Sequence, residues 1–338
     1  MPYQIILQPS GHHLTVNEDE TILSAALREG FSLPYGCRNG ACGSCKGRVL
    51  EGKIDYGKYQ SNTLKPEEIE EGKALLCVAR PLSDLVLEVK EIRVAGEVPV
   101  KTLPCRVQKL EKLVDDVMLM QLKLPANERL QFLAGQYIDF LLKDGRRRSY
   151  SIANPPHADE FIELHLRHVP GGRFTDQVFT TMKERDILRF EGPHGSFFIR
   201  EESDKPIIFV AGGTGFAPIK GMIEHLFAEE TDRQLILYWG ARAKKDIYLP
   251  ELPVRWQQQH ANFTFIPVLS DPMPEDDWQG RTGYVHQAVL GDFSDLSGYE
   301  VYACGAPVMV DAARAAFTQT RRLPEDAFYA DSFVYQSD

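Results

Sequence analysis

Hydrophobic and polar positions change their period repeatedly from one end of the chain to the other, and the changes mark the elements. Residues 3–9 (YQIILQP) and 14–16 (LTV) flank Ser10 and Gly11 as two short strands, the pattern of a β-hairpin. After Glu20 and Thr21, the residues Ile22, Leu23, Ala26 and Leu27 share one face of a helix that Gly30 ends. A long irregular stretch runs from Pro34 to Cys45, and Val78 to Ile92 returns to strand-like alternation. Together these predict a small α+β domain over residues 1–94.

Residues 95–104 (AGEVPVKTLP) hold two prolines and a glycine without any period and read as a linker. Over residues 105–202 the segments CRVQKL, VMLMQLKL, QYIDFLL, SYSIA, FIELHLRHV and ILRFEGP recur between turn residues, which predicts a closed antiparallel barrel. From residue 203 to 338 the strands become apolar runs: KPIIFVAGGTG, RQLILYWGA, FTFIPVLS and GYEVYACGA. Runs of that kind suit buried parallel strands, and helical stretches such as IKGMIEHLFAEE and VDAARAAFTQT lie between them. A third, α/β domain with a parallel sheet is expected there.

Composition adds exclusions. With 43% hydrophobic and 25% charged residues the chain is a core-forming globular protein. A net charge of −10 argues against nucleic acid or an anionic membrane as the main partner. The start, Met1-Pro2-Tyr3-Gln4, lacks the features of a signal peptide, and no run approaches the roughly 18 apolar residues of a membrane span. A cytoplasmic location is expected, where clustered cysteines are metal ligands or catalytic groups more often than disulfides. The acidic run Glu67, Glu68, Glu70 and Glu71 reads as a solvated helix start.

Of six cysteines, four cluster. Residues 37–45 (CRNGACGSC) have the spacing C-x4-C-x2-C, and Cys77 follows Cys45 after 31 residues. That is the plant-type pattern in which Cys37, Cys42, Cys45 and Cys77 hold a [2Fe–2S] cluster. Gly36, Gly40 and Gly43 sit where a chain wrapping a cluster must turn its amides inward. Zinc sites usually pair one C-x2–4-C unit with a second, whereas Cys77 stands alone.

Two further motifs suit cofactors. Arg148-Ser149-Tyr150-Ser151 lies on a barrel strand, where arginine can clamp a phosphate, tyrosine can lie flat on a flavin, and serine can reach flavin N5. Some 20 residues on, Gly171-Gly172-Arg173-Phe174-Thr175 can start a helix whose free amides meet a pyrophosphate. Gly212-Gly213-Thr214-Gly215 follows an apolar strand and opens a helix with Pro218 in its first turn, as a nucleotide loop would. Cys304-Gly305 ends another buried strand, at the end where open α/β sheets bind ligands. Cys105, at the start of a barrel strand, reads as a small buried hydrophobe.

With the three blocks in this order, the chain resembles the ferredoxin–NADP+ reductase superfamily, in the branch with an N-terminal plant-type [2Fe–2S] domain. The stretches LPYGCRNGACGSCKG, GRRRSYSIANPPH and RHVPGGRFTDQVF carry the likeness, which spans essentially the whole chain. The resemblance implies a β-grasp ferredoxin domain, an FAD-binding barrel and an NAD(P)-binding domain. It implies that Arg148, Tyr150 and Ser151 hold FAD, that Gly172 and Thr175 meet its pyrophosphate, and that Gly213, Thr214, Gly215, Cys304 and Gly305 meet the nicotinamide nucleotide. Ser151 and Cys304 would flank the site of hydride transfer, and the aromatic of Asp331-Ser332-Phe333 would cover the flavin ring. Electrons from NADH, with NADPH as the other candidate, would then leave singly through the cluster. The implied partner is an electron-accepting protein, either a dehydrase of sugar deoxygenation or an oxygenase component. A free-standing flavin or quinone reductase is the competing reading. Arg242, Lys244 and Lys245, after the second α/β strand, are candidates to pair a 2′-phosphate.

Overall fold

The computed structural model describes residues 2–61, 63–91 and 98–334. The chain forms two compact units, Met1–Val98 with Gly195–Phe197, and Pro99–His194 with Phe198–Asp338.

In the first unit the strands are β1 (Tyr3–Gln8), β2 (His13–Val16), β3 (Lys46–Glu51), β4 (Ile54–Asp55), β5 (Lys73–Leu75), β6 (Arg80–Pro81) and β7 (Leu85–Glu88). The main sheet has the order β2-β1-β7-β3-β5. Here β1 and β7 run parallel and the other neighbours antiparallel, a β-grasp. Alternation buries Ile5, Leu7, Leu14, Val16, Leu85 and Leu87 on one face. Helix α1 (Ile22–Arg28) covers that core with Ile22, Leu23, Ala25 and Ala26. Thr21 caps it by accepting from the Ser24 amide at 3.3 Å. The acidic run begins α2 (Pro66–Glu70), where Glu68 binds Lys46 at 2.8 Å.

The second unit opens with the barrel strands β8 (Lys101–Val114), β9 (Val117–Lys123), β10 (Tyr137–Leu141), β11 (Arg147–Ser151), β12 (Ile162–Arg167) and β13 (Ile187–His194). Their order is β11-β10-β13-β8-β9-β12. The Ala153 amide closes the ring by donating to Glu163 O at 2.7 Å, beside an Ile152–Leu164 bridge. Helix α3 (Arg173–Thr180) plugs the core with Phe174 and Val178. Lys101–Pro104, expected in the linker, instead begins β8 and pairs with Arg189–Gly192 of β13. The burial of Leu103 and Cys105 on alternate positions explains the earlier start. Residues 95–97 of the expected linker lie outside the described residues.

The rest of this unit alternates β14 (Ile207–Gly212), α4 (Phe216–Ala228), β15 (Leu235–Ala241), α5 (Glu251–Gln259), β16 (Phe263–Leu269), β17 (Arg281–Thr282), α6 (Val285–Asp292), β18 (Glu300–Gly305), α7 (Pro307–Thr320) and β19 (Phe328–Ser332). All six strands are parallel, in the order β17-β16-β15-β14-β18-β19. The order reverses between β14 and β18, and a crevice at that switch point is where such sheets bind ligands. Among the described residues no helix is long and apolar enough to cross a membrane.

Candidate functional site

The four clustered thiols are brought together by strand pairing. Cys45 directly precedes β3, Cys77 follows β5, and the pairing of Lys46 with Leu75 places the two cysteines side by side. The Leu76 amide donates to Cys45 O at 3.0 Å and locks that register. In the loop before β3, the Cys37 amide donates to Cys42 Sγ and the Ala41 amide to Cys37 Sγ, both at 3.3 Å. Gly40 has φ +76°, and a methyl group there would lie 2.9 Å from Lys58 O, so only glycine fits. Gly43 is also left-handed, but near Gly36 the positive φ belongs to Arg38, at +61°.

The thiols act on one another in two pairs, Cys37 with Cys42 and Cys45 with Cys77, and Cys42 Sγ also donates to Ser44 Oγ at 3.4 Å. The neighbouring Cys42 thiol, with the Asn39 and Ala41 amides, lowers Cys37 to about 7 against the opposing effect of burial. The Cys45 thiol likewise lowers Cys77. Cys42 and Cys45 are pushed up, each first by its partner thiol and then by burial. Among the described residues no three His, Cys, Asp or Glu side chains converge as a single-ion site. Two thiol pairs fringed by inward amides fit a two-iron cluster, with two thiolates for each iron, better than one tetrahedral zinc.

On β11, Tyr150 packs against Phe140 and Phe174, with ring centres 5.9 and 5.7 Å away, and burial pushes its phenol up. Arg147 is committed to Glu191 at 2.5 Å, while its half-buried neighbour Arg148 donates to the Arg147 carbonyl at 2.9 Å. Ser151 is buried at the end of the strand. Gly172 caps α3 in a fold so tight that a Cβ would meet Thr175 Oγ1 at 2.9 Å and Val169 O at 3.0 Å. The Thr175 hydroxyl donates to Val169 O at 3.0 Å and accepts from the Val169 amide at 3.2 Å, so it shapes this loop from within.

At the switch point, Gly213 turns with φ +53° and Gly215 starts α4. The two strand ends touch: a Cβ on Gly215 would sit 2.1 Å from Cys304 O, and one on Gly212 would sit 2.6 Å from Met309 Sδ. Cys304 is fully buried, and burial followed by the charge of Asp331 holds its thiol far above the usual range. It is therefore a neutral S–H at physiological pH rather than a nucleophile. Asp331 pairs in register with Cys304, and the Phe333 amide donates to Gly305 O at 2.8 Å, which brings the backbone of Phe333 to the same crevice. Of the five residues after Phe333, 335–338 lie outside the described residues.

Several contributors carry no motif. Trp239 Nε1 donates to Gly213 O at 3.0 Å, and its ring stacks on Phe216 at 3.8 Å, so a fully buried indole holds the glycine loop from below. Arg167 lies against Gly213, 3.4 Å from the position of a Cβ there. Among the described residues its buried Nε and Nη2 make no hydrogen bond, although Asp116 is 3.5 Å from Nε. Unsatisfied guanidinium donors beside a glycine loop suit an anionic group such as a nucleotide diphosphate. Arg242 lies 3.8 Å from Asp271, and Lys244 is engaged by Asp276 through its amide at 3.2 Å.

Comparison with known proteins gives the same three-part division. Residues 5–82 match the 2Fe-2S iron-sulfur cluster binding domain, residues 104–199 the oxidoreductase FAD-binding domain, and residues 209–315 the oxidoreductase NAD-binding domain. The CDP-6-deoxy-L-threo-D-glycero-4-hexulose-3-dehydrase reductase of Yersinia pestis is 41% identical over 99% of both chains. Phenol hydroxylase P5 protein of Acinetobacter pittii is 36% identical over 100% of this chain and 96% of its own. Among solved structures, the Amycolatopsis cytochrome P450 reductase GcoB matches with a TM-score of 0.79 and 33% identity over 98% of both chains.

Proposed function

The chain belongs to the ferredoxin–NADP+ reductase-type family of [2Fe–2S] flavoprotein reductases, and from that premise we propose that it serves a sugar dehydrase in the manner of CDP-6-deoxy-3,4-glucoseen reductase. It is an NAD(P)H-dependent oxidoreductase that moves electrons from NADH through FAD and a [2Fe–2S] cluster to a protein acceptor. The observation that carries the site reading is the switch-point crevice, where Gly213, Gly215, Cys304 and Phe333 converge. The bound flavin and cluster would supply the conversion of an electron pair into single electrons, at roughly −400 mV for a cluster of this type.

The residues divide the remaining work. Gly213, Thr214, Gly215 and Gly305 let backbone approach the nucleotide, and Arg167 offers its donors to the diphosphate. Cys304, as an uncharged thiol, would flank a bound nicotinamide without competing as a nucleophile. Arg148 and the α3 start at Gly172 and Thr175 would take the FAD diphosphate, and Tyr150 and Ser151, on the same strand as Arg148, would hold the flavin itself. Phe333, held at the crevice by its amide on Gly305 O, would be the aromatic that shields a bound flavin. Cys37 and Cys42 would hold one iron, Cys45 and Cys77 the other.

NADH is favoured over NADPH because the loop after β15 already brings aspartates to these cations: Arg242 lies 3.8 Å from Asp271, and Lys244 bonds Asp276 through its amide to the carboxylate and through Nζ to the backbone carbonyl. A 2′-phosphate would bring its charge against those aspartates. A cytoplasmic location belongs to the same reading, since four free thiols can load a cluster only where they stay reduced. The second reading, an oxygenase reductase component, is supported by the 36% identical phenol hydroxylase relative. Mixing the reduced protein with a hexulose dehydrase or with an oxygenase separates the two. Acceleration of NADH oxidation by the dehydrase alone supports the first reading, and substrate-dependent O2 uptake with the oxygenase supports the second. High turnover with free flavin and no response to either protein would contradict both.

A further inference from the structure

Lys220 is only 8% exposed, and the sequence motifs give it no task. It lies one turn into α4, the helix that emerges from Gly213–Gly215. Its Nζ donates to Ala153 O at 3.2 Å and to Glu224 Oε2 at 2.9 Å, and lies 3.1 Å from Glu163 Oε1. Three acceptors thus take the three protons of one ammonium. Glu163 Oε1 is also 3.3 Å from His165 Nε2, and the opposite nitrogen of that ring is 3.0 Å from the Tyr248 hydroxyl.

The arrangement follows from strand period. On β12, Ile162, Leu164 and Leu166 enter the barrel core, so Glu163 and His165 point the other way, onto Lys220 and Tyr248 of the α/β domain. Ala153, which receives Lys220, comes two residues after Ser151. The next residue of α4, Gly221, is so close to Asn154 O that a Cβ would lie at 3.0 Å. Asn154 is itself fixed by bonds to Ala158 O and Phe161 O, at 2.8 and 2.9 Å.

A buried lysine between two carboxylates is costly to desolvate, and apolar residues of equal volume would stabilise a fold as well. Its distinctive property is directional: charge-assisted bonds fix one arrangement where oily contacts allow several. We propose that the Glu163–Lys220–Glu224 cluster, braced by His165 and Tyr248, is a positioning device that registers the nicotinamide loop against the flavin strand for hydride transfer. The inference rests on the site reading above, in which Ser151 faces the flavin and Gly213–Gly215 hold the nucleotide. Lys220 and Glu163 touch neither cofactor in this scheme; they act through Ala153 and the start of α4.

The test uses flavin-loaded protein under anaerobic conditions, with Lys220→Met, Glu163→Gln and Lys220→Arg. Stopped-flow mixing with NADH gives the limiting rate of flavin reduction and the NADH Kd. Long-wavelength charge-transfer absorbance reports how nicotinamide and flavin stack. A misplacement of about 1 Å lowers such a rate on the order of 100-fold. Lys220→Met should approach that loss with Kd changed less than about threefold and the charge-transfer band weakened. Glu163→Gln should lose roughly tenfold, and Lys220→Arg should recover most of the rate. Should Lys220→Met fail to fold, Glu163→Gln and Lys220→Arg decide. An unchanged limiting rate and band in Glu163→Gln would overturn the proposal, as would a loss confined to Kd or protein that no longer holds flavin. Failure of the parent reading would look different: wild-type flavin that NADH does not reduce.

Discussion

Replacing Gly215 with alanine would place a methyl group 2.1 Å from Cys304 O and 2.4 Å from its carbonyl carbon. Gly215 has ordinary helical geometry, φ −59° and ψ −12°, so alanine adds no backbone strain and the effect is purely steric. Both contacts are to backbone, which cannot swing aside as a flexible side chain can. To reach even the 3.0 Å limit of real Cβ contacts, the start of α4 and the end of β18 must part by about 0.9 Å. If those strand ends hold nicotinamide against flavin, a shift of about 1 Å lowers hydride transfer on the order of 100-fold, equivalent to about 2.7 kcal/mol. The assay is anaerobic stopped-flow reduction of the bound flavin by NADH, with dithionite reduction as a control that bypasses the nucleotide site. Gly213→Ala is the comparison. Its φ of +53° carries strain of roughly 1–2 kcal/mol for a side chain. The nearest neighbour, however, is the Arg167 guanidinium at 3.4 Å, which can yield. Gly213→Ala should therefore lower thermal stability more than it lowers the rate. Flavin reduction in Gly215→Ala within about threefold of wild type would refute the placement of hydride transfer at this crevice.

Other outcomes follow from single contacts. Ser151→Ala should slow flavin reduction by NADH while leaving cluster absorbance intact, and a normal stopped-flow rate would count against its place at N5. Cys77→Ser should abolish the cluster's visible and EPR signals while NADH still bleaches the flavin. Trp239→Phe keeps the stack on Phe216 but loses the bond to Gly213 O, so NADH Kd, read by titration, should rise several-fold, about 1 kcal/mol. Burial pushes the imidazole of His165 below its ordinary range, so below about pH 6.5 the unfolded chain binds a proton that the folded one refuses. Its contribution is complete above that pH and declines as pH falls toward the depressed folded value, by up to about 1.4 kcal/mol per pH unit. Tm followed from about pH 7.5 to 5.5 should fall less steeply in His165→Gln than in wild type.

Patterns set by local chemistry are legible in the amino-acid sequence alone. The spacing of Cys37, Cys42 and Cys45, the period-two barrel strands and the glycine loop after an apolar strand each state their requirement within a few neighbouring residues. The helix of residues 22–28 is readable for the same reason, with Thr21 as its cap. Long-range company is what a linear pattern does not carry. Glu163 and His165 alternate with Ile162 and Leu164 as any half-exposed strand would, and only the fold reveals that they meet Lys220 and Tyr248, not water. Trp239 reads as one more apolar residue in a buried strand, because nothing nearby announces that its N–H meets Gly213, 26 positions away. The early start of β8 at Lys101 is masked by prolines 99 and 104, which read as linker residues. Pro104 is paired with Arg189 of β13, while pairing with β9 begins only at Arg106, so the proline sits where β8 is locally an edge.

The electron path itself is tested by titrating anaerobically purified protein with NADH while recording visible absorbance and low-temperature EPR. Flavin bands with a broad iron–sulfur shoulder should both bleach on addition of NADH, and one reduced [2Fe–2S] signal should appear that Cys77→Ser removes. Flavin that bleaches without any cluster signal, or protein that is colourless, would contradict that path.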